Sequence, residues 1–214
     1  MDTNQTQNTK QAELELSVIK KIMEDSRNIV CNNGWHYIFW GIIVSTALIA
    51  NYILLLMKSA DYYIGWMWFA LMIGAAITGS IYERRADKKR RVKTFAGELL
   101  GSLWFSGGIA MFMFGFIGTI SGAYNPIYIC PVISTVLGVT FYVSGEIQQL
   151  KWQKNLSYGW WAGAILLFFV PSIHTLIIFA AMMIFLQVVP GIIMNRKWKK
   201  EMNTVLPQEA NAAV

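Results

Sequence analysis

Four stretches of this chain contain no Asp, Glu, Lys or Arg: Gly34 to Met57, Tyr62 to Tyr82, Leu99 to Gly145 and Asn155 to Asn195. A bilayer-crossing helix needs about 20 mostly apolar residues, and an uncharged apolar run of 18 or more is a candidate span. The first two runs each have room for one helix. The last two are each about twice a membrane thickness and have room for two. Each long run is broken by turn-forming residues, "SGAYNP" (Ser121–Pro126) and "VPSIHT" (Val170–Thr175). The rest of the composition agrees, with 55% hydrophobic and 14% charged residues, where a soluble domain carries roughly a quarter charged. The fold class expected is an all-α membrane protein with six transmembrane helices arranged as three antiparallel hairpins. The spans fall at 35–57, 62–82, 98–120, 127–148, 156–171 and 174–195. A cytosolic amphipathic helix at 10–34 precedes them. Residues 1–9 are read as a disordered start without signal-peptide character, and 196–214 as a basic, then disordered, tail.

Orientation follows from Lys and Arg, which accumulate on the cytoplasmic side of membrane proteins. Lys10, Lys20, Lys21 and Arg27 precede the first span. Arg84, Arg85, Lys88, Lys89, Arg90, Arg91 and Lys93 crowd the second connection, Lys151 and Lys154 lie in the fourth, and Arg196, Lys197, Lys199 and Lys200 follow the last span. With both termini in the cytosol, every basic residue except Lys58 is cytosolic. Arg84 to Lys93 are expected to meet anionic lipids. No aromatic pattern or nucleic-acid-binding motif accompanies the charge, so nucleic acid is not an expected partner.

"GSIYERR" (Gly79–Arg85), "GEIQQLK" (Gly145–Lys151) and "GIIMNRK" (Gly191–Lys197) close the three even spans with Gly-x-Ile-x-x-x-basic. Gly41, Gly107 and Gly163 each follow a Trp in the odd spans, and the spacing from Gly41 to Gly79 equals that from Gly107 to Gly145. The pattern suggests a two-helix unit used three times, the third shortened. Frequent Gly and Ile, together with positive-inside charge, would produce the same pattern without repetition. The mitochondrial carrier family also has three hairpins, but its Pro-x-acidic-x-x-basic motif is missing from the odd spans here. The stretch "ELSVIKKIMEDSRNIVCNNGWHYIFWGIIV" (Glu15–Val44) resembles the start of small bacterial six-span membrane proteins that have no assigned activity. That resemblance covers about the first fifth of the chain and implies a bacterial inner membrane without implying a mechanism.

Packing within lipid relies on small residues that let backbones approach closely. "GWWAG" (Gly159–Gly163), "GTISG" (Gly118–Gly122) and the pairs Gly74/Thr78, Ala75/Gly79 and Ala76/Ser80 supply them. Packing within the chain is favoured over a homo-oligomer face. Pro131 and Pro190 are expected to kink spans four and six. In the N-terminal helix, Leu16, Ile19, Met23, Ser26 and Val30 form a seam at alternating three- and four-residue spacing. Such a seam needs a cover: the membrane interface, the protein's own cytosolic face, or a partner chain.

Catalytic and metal-binding constellations are not found. His36 and His174 lie at opposite ends of their spans, no Walker, Gly-x-Ser-x-Gly or His-Glu-x-x-His motif occurs, and no catalytic residue, metal or cofactor is assigned. Cys31 and Cys130 are separated in the same way and cannot pair within one chain. The remaining ionisable pair is Glu98 and Glu146, equidistant from Gly122 and expected at similar depth near the inner boundary. Two nearby carboxylates could bind a proton or cation, or simply pair with Arg85 or Arg91. Gln187, inside span six, is the other polar candidate. The function expected is a non-enzymatic scaffold, sensor or regulatory component working through the N-terminal helix and basic face. The alternative is a small transporter or channel using Glu98 and Glu146, with a membrane enzyme third.

Overall fold

The computed structural model describes residues 11, 13–18, 34–58, 61–87, 95–197 and 199–200, and every regular element among them is a helix. We label them α1 (Trp35–Leu56), α2 (Asp61–Asp87), α3 (Phe95–Ile120), α4 (Ile129–Ile147), α5 (Lys151–Phe169) and α6 (Thr175–Lys197). Residues 13–18 of the expected N-terminal helix are helical. The rest of its seam, Cys31, the basic residues from Lys88 to Lys93 and the tail from residue 201 onward lie outside the described residues. Five helices are long and apolar enough to cross a membrane: α1, the Tyr63–Tyr82 part of α2, α3, Pro126–Ile147 and α6. By length and composition that is the pattern of a membrane protein. The sixth helix, α5, is not among them, because Lys151, Gln153, Lys154, Asn155 and Ser157 fill its first two turns.

Local chemistry sets the breaks. After α3 the chain turns through Gly122, at φ 67°, where a side chain would be strained. The Asn125 side chain then accepts from the Ile127 N–H at 3.1 Å and opens a single 3₁₀ turn, Pro126–Tyr128, into α4. Pro131 sits in the first turn of α4, where its missing N–H would have had no helical partner. The kink expected there has no cause. Pro190 does act: the turn just before it, Ile184–Val188, widens to a π-helix in which the Val189 N–H reaches the Ile184 carbonyl. A second π turn, Met113–Ile117 in α3, has no proline. There the Tyr124 hydroxyl donates to the Phe114 carbonyl, and Gly118 leaves room for the Tyr124 ring.

Helices α1 and α6 run antiparallel along their whole length. Gly191 packs on Gly34 and Tyr37, Gly41 on Val188, Ser45 donates to the Ala180 carbonyl at 3.4 Å, and the Tyr52 hydroxyl lies 3.1 Å from His174 Nδ1. Gly34 has φ 60°, and a Cβ there would strike the Gly191 carbonyl, so only glycine fits. Helices α4 and α5 form the most extensive contact, joined by the tight turn Gln148–Leu150. These two broad pairings, α1 with α6 and α4 with α5, join helices from different hairpins of the sequence reading. Helix α3 lies on α4, and α2 packs on α1 at the edge. Between α1, α4, α5 and α6 the core is filled by Leu48, Leu137, Phe141, Trp160, Leu167, Phe179 and Met183, all buried. Phe141, Trp160 and Phe179 form a continuous aromatic column, with centroids 5.7 and 6.0 Å apart.

Candidate functional site: a buried polar layer

At the end of the bundle where α1 begins, the apolar core gives way to a layer of neutral polar side chains. Position on the helices explains it. Leu137, Phe141, Ser144 and Gln148 recur every three to four residues down one face of α4, ending in the turn beyond it. Gln153, Ser157, Trp160, Ala164 and Leu167 do so down α5. The tight α4–α5 turn brings the polar ends of both stripes together. Helix α1 contributes Tyr37 from its first turn, and the π turn of α6 contributes Gln187. All of these polar side chains are buried, with Ser144 at 0% exposure and Gln153 at 1%.

The Tyr37 hydroxyl is the centre of the layer. Gln153 Nε2 donates to it at 2.7 Å, and Gln148, Trp104 and Ser144 surround it. Its ring is gripped edge-on by Trp104 at 5.6 Å and lies 5.5 Å from Phe141. Gln187 Nε2 donates to the Tyr37 main-chain carbonyl at 3.4 Å. The protein therefore ties α1, α5 and α6 together through one residue. The hydrogen bonding is incomplete on the protein's own account. Gln153 Oε1 and Gln187 Oε1 are buried without a protein partner, and Ser144 Oγ and Gln148 Nε2, although beside the Tyr37 hydroxyl, make no hydrogen bond of good geometry. Each such group costs about 1–3 kcal/mol if left unpaired.

The carboxylates lie elsewhere. Glu98 is exposed on α3, and Glu146 is exposed on the outer side of α4. Among the described residues Glu146 is engaged by Lys154 of α5 and not by Arg85, while Arg91 lies outside the described residues. Lys154 in turn stands over the Tyr142 ring, 4.9 Å from its centroid. No hydrogen bond or ion pair joins Glu98 to Glu146 among the described residues. Arg84 and Arg85 are exposed at the end of α2. Arg84 helps line a shallow cleft of about 320 Å³ on the outside of α2, with Ala76, Ile77, Ser80 and Ile81. His36 stacks edge-on against Trp104 at 5.9 Å, far along the chain from the Tyr52–His174 contact, and no group of His, Cys, Asp or Glu that could hold a metal occurs among the described residues.

The repeat-pattern glycines sit where helices cross. A Cβ would lie 2.5 Å from Val188 at Gly41, 2.7 Å from Thr140 at Gly107, 2.6 Å from the Lys154 main-chain N at Gly145 and 2.9 Å from Ile38 at Gly191. At Gly163 it would overlap Met182, whereas at Gly79 it would only touch Phe39 at 3.5 Å. Of the polar layer, the sequence reading had Gln187 alone. Tyr37, Ser144, Gln148 and Gln153 were missed because polar residues at helix ends read as interfacial. The signal available was the stripe spacing, which continues past the end of the charge-free run into Gln148. No protein-family model matches the chain, and comparison with curated proteins and with solved structures finds no match.

Proposed function

We propose that the chain is a six-span inner-membrane protein with both ends cytosolic, acting as a non-enzymatic scaffold, sensor or regulatory component through its N-terminal helix and basic cytosolic face. Two contacts support a crossing by α5. Its first turn, at Gln153, meets the start of α1 at Tyr37. The start of α6, at His174, meets the end of α1 at Tyr52. Helix α5 therefore runs between the two ends of α1, and 19 residues extend about 28 Å at 1.5 Å each, close to the hydrocarbon thickness. Its polar side chains Gln153 and Ser157 are turned into protein, while Tyr158, Ile165, Leu166 and Phe168 face outward. The basic residues, all cytosolic except Lys58, support the orientation.

The observation that carries the non-transport reading is the sealed interior. Phe141, Trp160, Leu167 and Phe179 close the space between α1, α4, α5 and α6, and Glu98 and Glu146 stand outside it. Leu14, Leu16 and Val18 of the N-terminal helix are each more than half exposed, which supports that helix as the contact surface. A photo-crosslinking residue at Leu16 in growing cells should give one discrete adduct that Ile19→Asp abolishes. The parent protein in proteoliposomes should carry no proton or cation flux. A flux lost in Glu98→Gln or Glu146→Gln would overturn this reading in favour of a transporter.

A further inference from the structure

We propose that Tyr37, Ser144, Gln148, Gln153 and Gln187 form a hydrated site inside the bundle, one that binds ordered water and excludes ions. Three features lead there. The unpartnered atoms are of both kinds: Gln148 Nε2 can only donate, Gln153 Oε1 and Gln187 Oε1 can only accept, and Ser144 Oγ does either. A ligand meeting them must both donate and accept, and water is the smallest species that does. Buried water characteristically makes two to four hydrogen bonds to polar groups that the protein leaves unsatisfied. The second feature is neutrality. Amides, a hydroxyl and a phenol make up the site, and Glu146 and Lys154 satisfy each other outside it. A buried ion would lack the charged partner that compensates its desolvation. The third feature is position. The site lies beneath the Gln148–Leu150 turn and the first turn of α1, next to the end of the bundle, whereas the column beyond it is filled by the rings of Phe141, Trp160 and Phe179, where Trp160 Nε1 is the ring atom without a protein partner.

The layer is thus a wet socket at the foot of an aromatic core, joining α1 to α4, α5 and α6 through solvent as well as through Gln153 and Gln187. X-ray radiolysis tests it directly. The beam splits bound water in place, and the hydroxyl radical adds to the nearest ring even when a bulk scavenger is present. In the full-length protein in nanodiscs, with scavenger, Tyr37 should be oxidised on millisecond exposure, while Phe179 and Leu167 remain unmodified. In Gln148→Leu/Gln153→Met, which removes the groups that would hold the water, Tyr37 oxidation should fall by about tenfold. If that variant does not fold, Gln148→Leu alone should lower it in part. Tyr37 unmodified in the parent protein would overturn the proposal, as would Phe179 labelling at the same rate, which would mean unselective water penetration. Replacing sodium and potassium by choline at constant ionic strength should leave both the labelling and the melting temperature unchanged. A cation-dependent shift in either would mean that the site binds an ion, contrary to the proposal.

Discussion

Substituting Gly145 by Ala tests how tightly the bundle is built. At this position a Cβ would lie 2.6 Å from the Lys154 main-chain N and 2.9 Å from its Cα. Ordinary contact begins near 3.4 Å, so α5 must move away by nearly 1 Å. A flexible side chain could swing aside, but main chain cannot. The α4–α5 turn is only Gln148–Leu150, which leaves little slack to absorb the shift. Overpacking of this kind costs about 1–3 kcal/mol. Against it, Ala favours a helix over Gly by about 1 kcal/mol. Moving α5 also pulls Gln153 from the Tyr37 hydroxyl, an interaction of about 1 kcal/mol. The net expectation is a loss of about 1–3 kcal/mol, or roughly 2–10 °C in melting temperature for a chain of this size. Gly101 supplies the control, since nothing lies within 4 Å of a Cβ there. Gly101→Ala should be neutral or raise the melting temperature by a few degrees, by about 1 kcal/mol of helix propensity. Thermal unfolding of the three proteins in one detergent, followed by tryptophan fluorescence, decides it. Equal stability of Gly145→Ala and Gly101→Ala would refute the close α4–α5 crossing.

Tyr37→Phe strips the hydroxyl from the polar layer and should destabilise by about 1–3 kcal/mol, read by the same unfolding assay; no loss would mean that Gln153 finds another partner at no cost. Tyr124→Phe leaves the Phe114 carbonyl in the α3 π turn without its donor, and should cost about 1 kcal/mol while speeding amide hydrogen exchange in residues 113–118. Glu146→Gln removes an exposed pair and should leave the melting temperature nearly unchanged, with high salt erasing any difference from the parent. Cys130 is 5% exposed and should react with a small maleimide only once the protein unfolds. In a background lacking Cys31 and Cys130, a cysteine replacing Ala123 should label with an impermeant thiol reagent from outside intact cells and one replacing Lys88 should not; the reverse pattern would invert the orientation.

The helices were legible because lipid admits few alternatives: an uncharged run must satisfy its backbone internally. The two long runs broke at Gly122–Pro126 and near Ser172, where turn chemistry is local and visible in the sequence. Packing order was not legible. Nothing in the residues of α1 alone says that α6, at the far end of the chain, is its main neighbour. The equal spacing of Gly41–Gly79 and Gly107–Gly145 drew attention to hairpins, yet Gly41 packs on Val188 and Gly145 on Lys154. The π turn in α3 has no proline to announce it, and Tyr124, which answers its freed carbonyl, is ten residues away. Glu98 and Glu146 stood out because charge is rare here, whereas the amides that the fold buries carry no charge to notice.

The pairing of α1 with α6 has a consequence for how the chain is made. Helix α1 leaves the ribosome before α2 to α6, and its chief neighbour, α6, is made after the other four. Until then Gly41, Ser45 and Ala47, buried in the finished protein, face lipid or whatever attends the nascent chain. Helix α5 has the opposite history. Its polar first turns suit it poorly to enter a bilayer alone, but its partner α4 has just been made and stands ready to cover Gln153 and Ser157. The α4–α5 pair is thus built to insert as one unit, while α1 waits. A chain truncated before α6 would hold every earlier helix and still display an open notch along α1, so the cell has a simple feature by which to tell an unfinished copy from a finished one.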